Sequence, residues 1–115
     1  MEKTMKLIRG TTNTFNIVLQ EADGKPYVLG ENEVLRFGVK ENTDFQRYQL
    51  RKDLTAADVN DTGDGYLLVL RPEDTQRLEC GQYYYDMGLQ ADGDYFNVIA
   101  CNAFIIEPNV TQKEA

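Results

Sequence analysis

The residues that most often carry catalysis are few in this chain. There is no histidine among its 115 residues, which excludes the commonest general base, the usual catalytic triads and the histidine-containing zinc sites. The two cysteines, Cys80 and Cys101, cannot form a four-thiolate metal site, and a nucleophilic cysteine without a nearby histidine would be unusual. The sequence therefore predicts a protein that is not an enzyme and that has no metal or other cofactor.

Asp86 stands out because it lies in a run of tyrosines. One carboxylate without an acidic partner carries little hydrolytic chemistry. We therefore expect Asp86 to accept hydrogen bonds from the backbone of a nearby loop or to pair with a basic residue across the sheet. Tyr84 and Tyr95 are the other candidates for an interaction, since aromatic rings can stack on sugars. Alternation points Tyr83 and Tyr85 to the core, which favours packing over a sugar-binding platform.

An acidic run at residues 58–65 is similar to a calcium-binding loop. Oxygen-bearing side chains take positions one, three and five of that pattern, namely Asp58, Asn60 and Thr62. Gly63 takes position six, but position twelve is Val69, where the loop needs a bidentate glutamate. No helices are expected on either side. The sequence predicts a solvated acidic turn rather than a metal site.

The charge balance restricts the possible partners. The chain has 19 acidic and 12 basic residues and a net charge of −7, so it should be repelled by nucleic acids and by anionic membranes. No apolar run approaches the ~18 residues of a membrane span, and the N-terminus lacks the apolar region of a signal peptide. We expect synthesis in the cytoplasm, with no nucleic-acid or membrane partner.

Apolar residues alternate with polar ones along most of the chain, which indicates β-strands. The predicted strands are residues 5–9, 14–19, 34–40, 47–54 and 66–70 and a closing hairpin over 82–106. Strand 66–70 is apolar on both faces, as a central strand would be, whereas the charges of 47–54 predict an edge strand. Turns are predicted at Asp23-Gly24 and at 61–65, and a helical turn at 72–78.

The closing hairpin is predicted to turn at Asp92-Gly93. The apolar face would then pair Leu89 with Phe96, Met87 with Val98 and Tyr85 with Ala100. The other face would pair Gln90 with Tyr95, Gly88 with Asn97, Asp86 with Ile99 and Tyr84 with Cys101, and a kink or bulge would follow Asn102. Cys80 would lie roughly 14 Å from Cys101, beyond the ~7 Å limit for a disulfide, so two free thiols are expected.

Together these elements predict an all-β protein, an antiparallel Ig-like β-sandwich of about seven short strands with one short helical turn. A small β-barrel is the alternative. The chain is long enough for one domain, which is assigned to residues 1–110, with a polar tail at 111–115.

Several segments follow one another in the order of a known family. They are GTTNTFNIVL at 10–19, ADGKPYVL at 22–29, VLRFGVK at 34–40, EDT at 73–75 with Leu78, and GQYYYDM at 81–87. This order resembles the N-terminal domain of phage baseplate upper proteins and related small prophage tail proteins. Their pattern is a glycine-led strand, a D-G-x-P turn, an F-x-V-K strand and G-x-Y-x-Y-D-I before the last hairpin. Here Met87 replaces the final isoleucine.

The resemblance implies a β-sandwich that docks other virion proteins of the tail, or associates with itself, and it brings no catalytic residues. Longer members continue into further domains, so a chain that ends at Ala115 is expected to be a stand-alone adaptor rather than a receptor-contacting protein. It would be made in the cytoplasm and carried in the virion tail. Two alternatives remain, a carbohydrate-binding module and a generic bacterial protein-interaction domain.

Overall fold

The computed structural model describes residues 4–21, 23–42 and 47–109. It contains seven strands in this part of the chain: β1 (Met5–Ile8), β2 (Asn13–Ile17), β3 (Val34–Lys40), β4 (Leu50–Leu54), β5 (Tyr66–Leu70), β6 (Gly81–Ala91) and β7 (Asp94–Glu107). A 3₁₀ turn, Ala56–Asp58, follows β4, and one turn of helix, α1 (Pro72–Thr75), follows β5. The predicted tail at 111–115 lies outside the described residues.

The strands form a five-stranded sheet in the order β1-β7-β6-β3-β4 and a two-stranded sheet of β2 and β5. The predicted all-β class and the number of strands are confirmed. One pair departs from the expected antiparallel arrangement, because β1 runs parallel to the end of β7, with Met5 opposite Phe104. A parallel pair is possible here because the whole of the intervening chain serves as the crossover.

The core lies between the inner face of the large sheet and the small sheet. Alternation along β3 turns three apolar side chains inward, and all three are fully buried: Leu35, Phe37 and Val39. The small sheet contributes Leu68 and Leu70, which are also fully buried. On β6 the inward positions are Tyr83, Tyr85, Met87 and Leu89, so the predicted core positions of this strand are confirmed.

Two predictions about strands need correction. Strand β5 is not central, because among the described residues it pairs along its length with β2 alone, and Leu67 on its outer face is 36% exposed. Strand β4 is an edge strand as predicted, but it begins at Leu50 rather than at residue 47. Directly before β4, the Gln49 N–H still donates to the carbonyl oxygen of Val39 at 2.8 Å.

The helical turn α1 closes one end of the core and is shorter than the predicted 72–78. Pro72 begins it, where a missing N–H costs nothing. Thr75 is completely buried, and its hydroxyl accepts a hydrogen bond from the Gly10 N–H at 2.9 Å. This bond fixes the turn between β1 and β2 against α1. None of the helices in the described ranges is long and apolar enough to cross a membrane.

Both predicted hairpin turns are present. Gly24 has a φ of +88°, and the Glu21 N–H donates to the Lys25 carbonyl at 2.8 Å across the first turn. Asp92 and Gly93 both have positive φ, +49° and +86°, as a two-residue hairpin turn of the primed type requires.

The predicted register of the closing hairpin is confirmed from the turn to the pair Gly88–Asn97 and is wrong beyond it. Met87 lies opposite Ile99, Tyr85 opposite Asn102 and Tyr84 opposite Ala103, instead of the predicted Val98, Ala100 and Cys101. Two irregularities on β7 absorb one extra residue each. The expected kink therefore occurs before Asn102 rather than after it.

The bulges have a packing reason. The two extra residues bring Phe104 opposite Tyr83 and Ile106 opposite Gly81. Phe104 can then reach the inner aromatic cluster, where its ring centroid lies 6.4 Å from that of Tyr85 and 6.1 Å from that of Phe37. Because the total shift is even, the inward and outward faces are preserved on both sides of the bulges.

Candidate functional site

An open depression of about 460 Å³ lies on the outer face of the five-stranded sheet. Its main side chains are Arg36 and Lys40 of β3, Tyr48 before β4, Tyr84 and Asp86 of β6, and Tyr95 of β7. The three residues that the sequence analysis singled out, Tyr84, Asp86 and Tyr95, thus lie around one site. We treat this depression as the candidate functional site and call it the tyrosine depression.

Alternation places these side chains on the outer face. Along β6, the outward positions Tyr84, Asp86 and Gly88 alternate with the buried core residues of the same strand. In the register between β3 and β6, Lys40 lies opposite Tyr84 and Gly38 lies opposite Asp86. The same period that builds the core therefore puts charges, a phenol and two glycines together on the outer side.

Two glycines make room for two of the tyrosine rings. The ring of Tyr48 lies across Gly38, and the ring of Tyr95 lies across Gly88, so that a Cβ at either glycine would collide with the ring above it. Glycine in mid-strand often marks a close approach of this kind. Both rings remain partly in solvent, since Tyr48 is 39% and Tyr95 53% exposed.

The second bulge of β7 shapes the rim of the depression. The sheet register passes from Met87–Ile99 to Tyr85–Asn102, so Ala100 and Cys101 together face Asp86. Cys101 lines the depression. Cys80 and Cys101 are both free and exposed, which confirms the prediction of two unpaired cysteines. Bulges are enriched next to functional sites because they redirect side chains.

Cations hold Tyr48 in place. The Lys40 Nζ lies 4.9 Å and the Arg51 Cζ 5.8 Å from the centroid of the Tyr48 ring, within cation–π range. Asp53 binds both neighbouring guanidinium groups, at 3.4 Å from Arg36 Nε and 3.1 Å from Arg51 Nη2. Burial alone would raise the pKa of Asp53, but these two guanidinium groups lower it.

Asp86 is half-buried and lines the depression. Within 4–21, 23–42 and 47–109, no ion pair or side-chain hydrogen bond of Asp86 is found, so the expected bond to a loop or base is not among the contacts of the described residues. Its charge is felt by Tyr95, whose pKa is raised first by burial and then by Asp86. The carboxylate oxygens of Asp86 can accept hydrogen bonds from a ligand.

The acidic run at 58–65 forms a closed turn, as predicted. Asn60 Nδ2 donates to Asp64 Oδ1 at 3.1 Å, Thr62 Oγ1 donates to the same oxygen at 2.5 Å, and Gly63 N–H donates to Asn60 Oδ1 at 2.8 Å. Asp58 instead accepts from the Thr55 N–H at 2.8 Å, at the start of the 3₁₀ turn. The part of the chain that the structure describes contains no group of three or more metal-ligating side chains.

The other notable surface is the end of the closing hairpin. Phe96 is 55% and Val98 39% exposed, although the predicted register put both on the apolar core face. Phe96 does lie opposite the buried Leu89, but strand β1 pairs only with Phe104 and the residues after it. Among the described residues, β7 therefore has a free edge before Phe104. The apolar side chains of Phe96 and Val98 lie in this segment and are not part of the buried core.

Sequence reasoning missed part of the tyrosine depression. It did not single out Arg36 or Lys40, which reach the site from β3, or Tyr48, which reaches it from the segment before β4. The available signal was glycine in mid-strand: Gly38 and Gly88 interrupt otherwise regular alternation, and such positions indicate that another group packs on the backbone. Comparison with known protein-family models found no match, and comparison with curated protein sequences found none either.

Proposed function

We propose that this protein is a non-catalytic adaptor of a phage or prophage tail or baseplate and that it acts by protein–protein assembly. The observation that carries the proposal is the edge of β7 before Phe104, which is free among the described residues, together with the exposed apolar side chains of Phe96 and Val98. Contiguous exposed apolar residues mark interaction surfaces. An unpaired strand edge offers backbone donors and acceptors to a strand of a partner.

The edge has features of a controlled docking site rather than of an aggregation hazard. Two bulges interrupt it between Asn97 and Asn102, and such bulges limit indiscriminate pairing of strands. The segment before them runs from Asp94 to Asn97, where a partner strand could pair without interruption. The net charge of −7 favours a partner with a basic surface.

The order of motifs supports the choice of a virion partner. The glycine-led segment at 10–19, the D-G-x-P turn and the run that ends at Asp86 and Met87 fall on β2, the first turn and β6. These elements correspond to the strands and turns that define the resemblance to baseplate upper proteins. The docking edge belongs to β7, the partner of β6 in the closing hairpin.

The proposal is tested by pull-down of the products of neighbouring genes with the purified chain, and by mass spectrometry of purified virions. We expect capture of tail or baseplate proteins and loss of capture in a Phe96→Asp, Val98→Asp double variant. Val28→Asp is the matched control, because Val28 is 68% exposed and belongs to the segment between β2 and β3 rather than to the hairpin. Absence from virions, or capture only of metabolic proteins, would contradict the proposal.

A further inference from the structure

We propose that the tyrosine depression binds an uncharged saccharide, a function separate from assembly through β7. The depression brings together a carboxylate at Asp86, cationic donors at Lys40 and Arg36, and the phenols of Tyr84 and Tyr95. A sugar ring carries hydroxyl groups that both donate and accept hydrogen bonds, and C–H faces that pack on aromatic rings. The depression supplies a partner for each of these features.

The mixture of charges selects an uncharged ligand. An anion would be repelled by Asp86, and a cation by Lys40 and Arg36. Both cationic groups are also partly engaged, since Arg36 Nε lies 3.4 Å from Asp53 and Lys40 Nζ lies 4.9 Å from the Tyr48 ring centroid. A long polyanion would further be opposed by the net charge of −7.

The aromatic surfaces are in place before a ligand arrives. Tyr95 lies across Gly88 and Tyr48 across Gly38, so both rings are held against the sheet while they remain partly exposed. A binding surface that is already ordered loses little conformational entropy on binding. The volume of about 460 Å³ is that of a small-molecule site, which suits a short glycan better than a globular protein surface.

The experiment is a glycan array with neutral and anionic members, followed by ¹⁵N–¹H NMR titration of the full chain. The NMR probes are cellotriose, mannotriose, chitotriose and maltotriose at millimolar concentration. We expect at least one neutral glycan to shift the amides of Gly38 and Gly88. Tyr95→Ala removes a stacking surface and Asp86→Asn removes a charged acceptor. Each substitution should weaken that binding by about tenfold.

Phe96→Ala is the matched control. Phe96 is as exposed as its neighbour Tyr95 but lies on the other face of β7, so its loss should leave glycan binding unchanged. Tyr95→Phe keeps the ring and loses the hydroxyl, and it should weaken binding less than Tyr95→Ala. The Phe96→Asp, Val98→Asp variant should lose protein partners and keep the glycan, which separates this proposal from the assembly function.

Four results would overturn the proposal. The first is the absence of any neutral glycan that binds at millimolar concentration. The second is binding restricted to anionic glycans and abolished by salt. The third is glycan binding that survives both Tyr95→Ala and Asp86→Asn. The fourth is binding of array peptides at the depression, while no glycan shifts the amide signals of Gly38 and Gly88.

Discussion

Two aromatic trios lie on opposite faces of the five-stranded sheet. The inner trio is Phe37, Tyr85 and Phe104, whose ring centroids are 5.6, 6.1 and 6.4 Å apart. The outer trio is Tyr48, Tyr84 and Tyr95, which surrounds the tyrosine depression. The inner rings are buried against one another and against the small sheet, whereas Tyr48 and Tyr95 remain partly in solvent.

The difference shows how one alternating pattern can serve both stability and binding. On the inner face the space between rings is filled by apolar side chains, so ring positions are fixed by packing on every side. On the outer face the space is left by glycines, Gly38 and Gly88, and the Tyr48 and Tyr95 rings that lie across them remain partly exposed. The outer trio should therefore contribute little to folding and remain open to a ligand.

The largest expected contrast is between truncations of the two trios. Phe104→Ala removes a fully buried ring and should lower the free energy of unfolding by about 3–5 kcal/mol. Tyr95→Ala removes a ring that is 53% exposed and should change it by less than about 1 kcal/mol. Urea denaturation followed by circular dichroism measures both. Similar losses for the two variants would contradict the division between a structural and an open trio.

The next contrast concerns hydroxyl groups. The Leu29 N–H donates to the buried Tyr66 hydroxyl at 2.6 Å, so Tyr66→Phe leaves a buried donor unpaired and should cost about 1–3 kcal/mol. Tyr95→Phe removes the hydroxyl of a residue that is 53% exposed and should be close to neutral. Both substitutions keep the ring, so the difference in urea midpoint isolates the hydroxyl. Equal midpoints would show that the bond to Leu29 contributes nothing to stability.

Tyr27 is intermediate, because it is half-buried and its hydroxyl donates to Glu33 Oε2 at 2.6 Å. This hydrogen bond raises the pKa of Tyr27 to about 12 from an ordinary value of 10.0. The hydrogen bond of the protonated phenol stabilises the fold fully below about pH 10. This contribution is lost as the pH rises through about 12 and the phenol ionises.

Tyr27→Phe should therefore cost about 1 kcal/mol at neutral pH, and the difference from the wild-type chain should shrink above about pH 10. The figure is kept small because the pair is near the surface, where solvent screens it. Urea denaturation of both chains at several pH values measures the difference. A difference that stays constant to strongly alkaline pH would contradict this assignment, since the other tyrosines titrate equally in both chains.

The contrast between the two trios also explains which features the sequence could predict. Leu35, Phe37 and Val39 alternate with polar residues, so hydrophobic periodicity alone places them in the core. The turn at Asp92-Gly93 has its own local signal, and it fixed the register as far as Gly88 and Asn97.

The rest depended on contacts between distant segments. The bulges of β7 bring Phe104 into the inner trio, and their position before Asn102 could not be predicted from the local residues. Tyr48 joins the depression through its ring, which lies across Gly38 of the neighbouring strand β3. The parallel pairing of β1 with β7 likewise arises from the whole topology rather than from either strand.

The smallest expected effect is electrostatic and reports directly on the outer trio. The pKa of Tyr95 is raised by burial and by the charge of Asp86, whereas the pKa of Tyr85 in the inner trio is raised by burial alone. Asp86→Asn removes a negative charge that opposes the phenolate. It should therefore lower the pKa of Tyr95 and leave it above the ordinary value, with no change for Tyr85.

Titration of ¹³Cζ-labelled tyrosine by NMR measures both rings in one sample. Asp94→Asn is the matched control, because Asp94 adjoins Tyr95 in sequence but is not among the charges that shift it. If Asp94→Asn lowered the pKa of Tyr95 as much as Asp86→Asn did, the effect would be one of net charge. A specific response to Asp86→Asn would instead establish that the carboxylate and the ring face the same depression, which the saccharide proposal requires.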